Sequence, residues 1–204
     1  MKKALILFLA ILIIPISGSS QEIENLDYIS PFHEDLAAIK KEGQWEFINT
    51  IGEIIIDFRD DLVVTSVGDI NYPIFSEDRC LIEEQKDDIS YFGYIDTSGK
   101  TVIEPQFLNA ANFNEERALA LKLIKDVVAK NEALEKNVVY YKYHEVVIDK
   151  NGEAKNYLNP KGVNVVLDKD FLKEPPQITA KQISKTLYAF KGKHKKWTLI
   201  RIND

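Results

Sequence analysis

The sequence predicts an all-β fold built from antiparallel β-hairpins that stack as an open twisted array. Three observations support this prediction: apolar and polar residues alternate at the period of a strand, tight-turn signals recur, and a longer unit repeats along the 204 residues. Because a single hairpin cannot bury its apolar face, neighbouring hairpins must pack against one another. A partial propeller is the alternative arrangement of the same hairpins.

The clearest hairpin spans residues 92–105, where aromatic and apolar residues alternate before a tight turn. Asp96 opens the turn, and its carboxylate can accept backbone N–H groups two residues further on. Gly99 ends the turn and can adopt a positive φ, which suits a type I turn followed by a left-handed glycine. The β-branched residues at 101–103 favour a return strand. Pro105 cannot donate to a ladder, so regular pairing should stop or move to a sheet edge there.

Two elements of this hairpin region recur in the same order along the chain. The turn keeps Asn or Asp first and Gly fourth in three copies, which are Asn49/Gly52, Asp96/Gly99 and Asp149/Gly152. A second element, Phe-x-Glu-acidic followed by an apolar strand, begins at Phe32, Phe75 and Phe113. These matches define units near 32–58, 75–110 and 113–160, with a half unit at 187–202. We expect residues 21–204 to form one domain of such units.

The unit resembles that of the WG-repeat family over roughly residues 31–204. The family pattern reads Phe-x-Glu-Gly-Leu-Ala, a strand, Trp-Gly-Tyr/Phe-Ile-Asp, a glycine turn and an apolar strand that leads to a proline. Residues 92–105 carry it most fully, with Phe92 in place of the Trp, whereas Trp45 and Trp197 keep the Trp and lack the glycine after it. The glycine of Phe-x-Glu-Gly is replaced by Asp35, Asp78 and Glu116. The family is defined by its repeat and not by an activity, so the resemblance implies a bacterial β-repeat protein of unassigned function.

Residues 1–20 are predicted to be a secretory signal peptide. Lys2 and Lys3 precede an apolar run that ends at Ile16, and the small residues at 17–20 indicate cleavage near Ser20/Gln21. The run is shorter than the ~20 apolar residues that cross a membrane, so we expect no transmembrane segment after its removal. The protein is then exported to the periplasm or the extracellular space. An uncleaved anchor or a buried helix is the alternative interpretation of this run.

The charge balance argues against two classes of partner. The formal net charge of the whole chain is −6, and it becomes −8 when the two lysines of the signal peptide are removed. Such an acidic chain does not favour nucleic acid or an anionic membrane surface as a partner. The apolar share of 45% is typical of a folded protein rather than a disordered one.

The third unit carries an insertion whose structure the sequence leaves open. Residues 125–136 have a helix-favouring composition and predict either a short helix or a long hairpin tip. Residues 138–148 return as a long strand rich in Tyr and Val, and the proline-containing stretch 154–180 predicts an irregular connection. Two final strands are expected at 187–191 and 196–200.

No sequence pattern indicates catalysis, a metal site or a cofactor. Cys80, the only cysteine, occupies the repeat position of Ala37 and Ala118, so we interpret it as a small buried residue rather than a nucleophile. His33, His144 and His194 lack the helical pairing and the Cys or carboxylate spacing of metal ligands. We therefore predict a non-enzymatic protein with no catalytic, cofactor-binding or metal-binding residue.

One carboxylate recurs at the same position of every full unit, as Glu34, Glu77 and Glu115. Paired carboxylates can serve acid–base hydrolysis of glycans. A carboxylate that is present in every unit is, however, what a structural role predicts. We expect it to accept backbone N–H groups of a turn beside the next strand.

A series of aromatic residues offers the sharpest candidates for binding. Large apolar side chains are usually buried, so core packing between stacked hairpins is the simpler interpretation. The functional interpretation is an aromatic strip for a protein or glycan partner in the envelope, with contacts at Trp45, Phe92, Tyr94 and Trp197. The sequence thus favours a binding or scaffolding module in the cell envelope. A glycan- or peptide-acting hydrolase, or its accessory subunit, is the alternative.

Overall fold

The computed structural model describes residues 22–131, 136–192 and 196–203. These residues form strands, turns and connections without any helix, so the prediction of an all-β fold with an open twisted arrangement is confirmed. Within the described ranges, no helix has the length and apolar character needed to cross a membrane. Strands β7 to β13 form one continuous hydrogen-bonded sheet rather than separate blades, which is why the array is open and not a partial propeller.

The N-terminal sheet has four antiparallel strands in sequential order. Its strands are β1 (Tyr28–Ile29), β2 (Leu36–Lys41), β3 (Gln44–Asn49) and β4 (Ile54–Arg59). A small separate hairpin follows, made of β5 (Thr65–Val67) and β6 (Ile70–Tyr72). The first unit predicted at 32–58 therefore corresponds to β2, β3 and β4.

The central sheet curls into a half-barrel and contains the second and third units. Its order is β7 to β13 in sequence, with β14 pairing on the far half of β12. The strands are β7 (Phe75–Ser76), β8 (Arg79–Lys86), β9 (Ile89–Ile95), β10 (Thr101–Ala110), β11 (Ala118–Asn131), β12 (Lys136–Ile148), β13 (Ala154–Tyr157) and β14 (Val163–Val165). The C-terminal sheet is a meander of β15 (Lys181–Ser184), β16 (Leu187–Lys191) and β17 (Trp197–Arg201).

Of the two alternatives predicted for residues 125–136, the short helix is wrong and the long hairpin is confirmed for the residues that the structure describes there. Residues 125–131 and residue 136 belong to β11 and β12, and residues 132–135 lie outside the described part. The antiparallel ladder runs without interruption from Ala118↔Ile148 to Val127↔Val139, and pairing continues past a register shift. Backbone pairing and β-branched residues in the return strand outweigh the helix propensity of the intervening polar residues. Strands β13 and β14 also fall within 154–180, which was expected to be irregular.

The three Asx–Gly turns have the same geometry, as the sequence predicts. In each turn the first residue's Oδ1 accepts the N–H groups two and four residues further on, at 2.9–3.1 Å. The fourth residue is a glycine with φ of 79–82°. Its N–H donates to the carbonyl oxygen of the first residue. The side-chain acceptor and the left-handed glycine together fix each hairpin.

The Phe-x-Glu-acidic element forms a second kind of turn, a two-residue hairpin loop. Both loop residues adopt left-handed φ angles of 49–63° in each copy, at 34–35, 77–78 and 115–116. The flanking residues pair across the loop, as in His33↔Leu36 and Ser76↔Arg79. Two successive left-handed residues are the signature of a type I′ turn, which matches the twist of the strands that it joins. The second loop position is where the family pattern has glycine.

Each unit packs one face of its hairpin against the opposite face of the next unit. The first face presents a cross-strand pair in every full unit: Ala38↔Phe47, Leu81↔Tyr94 and Leu119↔Val147. In three successive core clusters these pairs meet residues of the following unit: Cys80 and Ile95, then Ala118 and Ile148, then Tyr188 and Ile202. One packing solution is therefore repeated from unit to unit.

The turn glycines take part in the same stacking. A Cβ added at Gly99 would lie 3.2 Å from the Ile56 side chain, and one at Gly152 would lie 2.8 Å from the Ile103 side chain. Ile56 and Ile103 hold equivalent positions in the preceding units. The corresponding Cβ at Gly52, in the first unit, would meet no heavy atom within 4 Å.

Gly93 is required for a different reason, which is the close approach of another backbone. Between the pairs Tyr94↔Ile103 and Phe92↔Phe107, strand β10 gains two extra residues and bulges over Gly93. A Cβ at Gly93 would lie 2.7 Å from the backbone nitrogen of Pro105. In the first unit β4 gains only one residue between Phe47↔Ile56 and Trp45↔Arg59, and Glu46 stands where Gly93 does. The smaller bulge accommodates a side chain.

Replacement of Gly93 by Ala should destabilise the protein, because the added methyl group clashes with backbone atoms that cannot move independently of the sheet. We expect the free energy of unfolding to fall by about 2 kcal/mol or more, as overpacking of a sheet interior typically costs 1–3 kcal/mol. Chemical denaturation measures the change. The matched control is Gly192→Ala, where a Cβ meets no atom within 4 Å and no loss is expected. Equal stability of the two variants would contradict the close-approach interpretation.

The Asx turns should make stability depend on pH in acid. The pKa of Asp96 is lowered from its ordinary value of 3.8 by hydrogen bonds from the Ser98 hydroxyl and from backbone N–H groups. Partial burial opposes a similar shift at Asp149, but bonds from Lys155 and two backbone N–H groups outweigh it and lower its pKa. A depressed folded-state pKa gives stability that is present above 3.8 and is lost as the pH falls through the folded-state pKa.

The test is an Asp96→Asn/Asp149→Asn double variant, because Asn49 already forms the same turn bonds without a charge. Denaturation between about pH 5 and about pH 2.5 should show a smaller loss of stability for the double variant than for the wild type. Parallel pH profiles for the two proteins would assign acid sensitivity to other carboxylates.

Candidate functional site

Two of the three recurring carboxylates, those of Glu34 and Glu77, accept backbone N–H groups of a turn, as the sequence predicts. Glu34 accepts the backbone N–H of Glu77 and, at 2.8 Å, that of Asp78 in the following unit. Glu77 in turn accepts the backbone N–H of Glu116. Glu115 differs, since its carboxylate accepts a long hydrogen bond of 3.5 Å from the Gln182 side-chain amide. Each of the first two carboxylates thus connects its own unit to the left-handed loop of the next.

The candidate nucleophile and metal ligands occupy structural positions. Cys80 is fully buried, as the repeat predicts, and burial raises the pKa of its thiol. Nε2 of His33 lies 3.0 Å from the Tyr72 hydroxyl, and Nδ1 of His144 lies 3.1 Å from the Asn159 carbonyl oxygen. His194 lies outside the described residues. No group of three His, Cys, Asp or Glu side chains able to hold a metal occurs in the described ranges.

Three of the four aromatic candidates are core residues. Trp45, Phe92 and Tyr94 are buried, so their assignment as surface contacts is wrong for this structure. The reason is the stacking of units, which covers the first face of each hairpin with the next one. Tyr94, for example, packs edge-to-face on Phe113 of the third unit at 4.9 Å and donates its hydroxyl to the Ala111 carbonyl oxygen at 2.6 Å.

Trp197 is the exception, with 47% of its surface exposed. It begins β17, and the register of the C-terminal sheet places it opposite Lys191. Leu199, two residues further along β17, is 65% exposed and lies opposite Ala189. Side chains two residues apart on a strand point to the same face. We call this surface the C-terminal face; its members are Lys181, Leu187, Ala189, Lys191, Trp197, Leu199 and Arg201.

The register identifies this surface as the uncovered equivalent of the packed faces. The pair Ala189↔Leu199 corresponds to Ala38↔Phe47, and the pair Lys191↔Trp197 corresponds to Lys40↔Trp45. Even the contact between lysine and tryptophan is repeated: Nζ of Lys40 lies 5.2 Å from the Trp45 ring centroid, and Nζ of Lys191 lies 4.9 Å from that of Trp197. Phe47 and Trp45 are buried by the second unit, whereas Leu199 and Trp197 have no described unit above them.

The charged members of the C-terminal face are all basic. Nζ of Lys181 also lies near the Trp197 ring, at 5.4 Å from its centroid, and Arg201 is exposed at the end of β17. Lysines near an aromatic ring gain from the negative potential of its face. The surface combines an apolar centre with positive charge on a chain whose net charge is negative.

A cleft of about 510 Å³ lies beside this surface, and Lys191 borders both. Its walls come from the connection after β13 and from the end of β16, including Asn159, Pro160, Val163 and Phe190. The opposite side of the C-terminal sheet is core, since Tyr188 and Ile202 are buried against Leu119 and Val147 of the third unit. The sheet is thus anchored on one side and open on the other.

Sequence reasoning found Trp197 but missed Leu199 and Lys181. Leu199 looks like one apolar residue among many until the repeat alignment places it at the position of Phe47 and Tyr94. Lys181 precedes the half unit that the repeat defines, and its proximity to Trp197 follows from the pairing of β15 with β16. A search for face positions that no following unit covers would have found Leu199.

The two tryptophans should report burial in opposite ways. A Trp45→Phe variant leaves Trp197, whose emission should be red-shifted and readily quenched by acrylamide because the ring is half exposed. A Trp197→Phe variant leaves the buried Trp45, whose emission should be blue-shifted and resistant to quenching. Phe is tolerated at this repeat position, since Phe92 occupies it in the second unit. Equal quenching in the two folded variants would contradict the assignment of the exposed face.

The comparisons with known proteins agree with the repeat geometry. The family described as WG containing repeat matches residues 24–45, over β1, β2 and the start of β3, and residues 92–122, from β9 into β11. Comparison with curated proteins and with solved structures gave no match. The two matched segments are thus similar to the WG containing repeat, and in the structure they lie in the stacked hairpins that share the same turns.

Proposed function

We propose that this protein is an exported, non-enzymatic binding or scaffolding module of the cell envelope, and that it binds through the C-terminal face. The observation that carries the proposal is the exposure of Trp197 and Leu199 at positions where earlier units bury their equivalents. In the earlier units, a neighbouring unit buries this apolar surface. At the C-terminal face no described unit does so, and burial by a partner would lower the free energy there.

The chemistry of the residues supports binding rather than catalysis. The carboxylates of Glu34 and Glu77 accept hydrogen bonds from backbone N–H groups of the next unit. Cys80 has a raised thiol pKa because it is buried, which disfavours the nucleophilic thiolate. The pKa shifts resolved for carboxyl groups of the described residues are at Asp96 and Asp149, where hydrogen bonds in structural turns lower the pKa, and at Glu46, where burial raises it.

Two features support export. Residues 1–20 have the basic start, the apolar run and the small residues of a signal peptide. A buried, unreactive single cysteine is also compatible with an oxidising compartment, where an exposed thiol would be open to oxidation or intermolecular pairing. The mature chain would then present its C-terminal face to envelope components.

A protein partner fits the C-terminal face better than a glycan does. The centre of the face is aliphatic as well as aromatic, with Leu199 beside Trp197, and its rim carries Lys181, Lys191 and Arg201. Protein interfaces combine an apolar core with a polar or charged rim in this way. A glycan is the second candidate, because an exposed aromatic ring can stack on a sugar.

The test compares the wild type with a Trp197→Asp/Leu199→Asp double variant. Full-length protein is expressed in a bacterial host, and the mass of the recovered chain locates cleavage near Ser20/Gln21. The immobilised mature protein is then titrated with a solubilised envelope fraction. We expect one saturable partner for the wild type and an affinity lower by about tenfold or more for the variant. The control is Phe171→Asp, which removes a side chain that is 71% exposed elsewhere.

Thermal melts establish that all three proteins are folded. Unchanged binding by the double variant would refute the C-terminal face as the contact surface. The absence of any saturable partner at physiological concentration would refute the binding function, and an uncleaved chain retained in the cytoplasm would refute export.

A further inference from the structure

The edge of the C-terminal sheet differs from the corresponding edge of every other unit. Each earlier strand that is equivalent to β17 pairs on both sides: β3 lies between β2 and β4, β9 between β8 and β10, and β12 between β11 and β13. Strand β17 pairs with β16 alone, and no strand of the described residues lies at its other edge. The uncovered C-terminal face is therefore joined to an unpaired strand edge.

The backbone groups at this edge point outward in a defined pattern. Gly192 donates its N–H to the Lys196 carbonyl oxygen at 3.2 Å, and Ile202 donates to the Thr186 carbonyl oxygen at 2.8 Å. In an antiparallel ladder, alternate residues bond to the same neighbour. Residues 196, 198, 200 and 202 thus face β16, which leaves the N–H and C=O groups of Trp197, Leu199 and Arg201 directed to the open edge.

The earlier units show what these outward groups bind. Arg201 is the positional equivalent of Asn49, Asp96 and Asp149. The N–H groups of those three residues donate across the turn to the carbonyl oxygens of Glu53, Lys100 and Glu153, at 2.9, 2.9 and 3.1 Å. Those bonds start the ladder of the strand that follows each turn. The Arg201 N–H occupies the place where such a ladder begins.

We propose that β17 binds an extended segment of a partner protein as an added antiparallel strand. This inference rests on the proposed binding function and gives it a mode, in which main-chain hydrogen bonds provide affinity and alternate side chains provide specificity. The added strand covers the edge and brings its side chains beside Trp197 and Leu199.

The internal strands also predict the sequence that the partner segment should have. Opposite Phe47 and Tyr94, the equivalents of Leu199, stand Ile56 and Ile103. The segment should therefore place a β-branched apolar residue opposite Leu199. Three basic side chains, those of Lys181, Lys191 and Arg201, lie on the same face as Leu199 and favour acidic side chains on that face of the segment. The partner is thus a strand-forming segment that presents Ile or Val together with Asp or Glu on the same face, with the acidic residue opposite Trp197 or Arg201.

The residue after Trp197 indicates which of two internal strands, β4 or β10, the partner segment should resemble. Gly93 permits the double bulge of β10, whereas Glu46 accompanies the single bulge of β4. Thr198 holds this position in β17 and has a side chain, so a strand like β4 fits better than one like β10. In β4 the residue opposite Trp45 is Arg59. A basic residue is unsuited to the same place beside Lys181 and Lys191.

The first experiment uses two peptides that copy residues 53–60, one with Arg at the position of Arg59 and one with Arg59→Glu. Binding to the folded mature protein is followed by amide chemical shifts and by Trp197 emission in the Trp45→Phe variant. We expect shifts centred on residues 197–201, a blue shift of Trp197, and tighter binding of the Glu peptide by about fivefold at low salt. A Leu199→Asp variant should lose this binding, and Phe171→Asp should keep it.

Peptides N-methylated at alternate residues separate strand addition from simple adhesion. Only one set of alternate amides faces β17, so methylation of one set should abolish binding and methylation of the other should leave it within about twofold. Equal effects of the two sets, or shifts that do not include residues 197–201, would overturn strand addition. So would a lack of saturation at low millimolar peptide.

A second copy of this chain at the edge is also an overturning outcome. Sedimentation would then show a monomer–dimer equilibrium that depends on Leu199 and that the peptides do not displace. The proposed function is tested independently of strand addition. An envelope partner that requires Trp197 and Leu199 can still be found when both methylated peptides behave alike. In that case the C-terminal face binds, but not by pairing with β17.

Discussion

The packing of one hairpin unit on the next is the interaction on which the rest of the structure depends. A hairpin has two faces and can bury neither by itself, so its apolar side chains are stabilising only when another unit covers them. Phe47 meets Phe75 at a ring-centroid distance of 4.8 Å, and Tyr94 meets Phe113 at 4.9 Å, in the same edge-to-face geometry. Full burial of one such side chain contributes on the order of 2 kcal/mol, which is a large part of the net stability of a domain.

Close stacking also decides where the sequence can vary. The turn glycines that face a preceding unit leave no room for a side chain, whereas Gly93 is fixed by the backbone that bulges over it. The glycine of the family's Phe-x-Glu-Gly segment has been replaced by an acidic residue although φ there is 62–63°. A left-handed conformation costs a residue other than glycine about 1 kcal/mol or more. The carboxylate bonds from Glu34 and Glu77 to these loops offset part of that cost.

The sequence was sufficient to predict what depends on local chemistry and on repetition. The Asx turns, the burial of Cys80 and the structural use of Glu34 and Glu77 each follow from residues that recur at one position. The sequence left alternatives open where the outcome depends on distant pairing. The residues near 125–136 have helix-favouring composition, but the ladder between β11 and β12 places the described part in strands. The exposure of Trp197 could not be separated from the burial of Trp45 either, because their local sequences are alike and only the presence of a following unit distinguishes them.

Two edge strands of the described sheets, β4 and β17, differ in how their edges are protected. At β4, the Arg59 guanidinium donates to the Gly99 carbonyl oxygen at 2.8 Å and pairs with Asp61 at 2.6 Å, so side chains tie this edge strand to the second unit. Charged residues on an edge strand and contacts that cover it are the usual protection against unwanted pairing. At β17, the basic side chains lie mainly around Trp197 and Leu199 on the face of the sheet, rather than along the open edge of the strand. The same repeat that buries these positions elsewhere therefore leaves them exposed in the last strand that the structure describes, and this difference is the basis of the proposed strand addition.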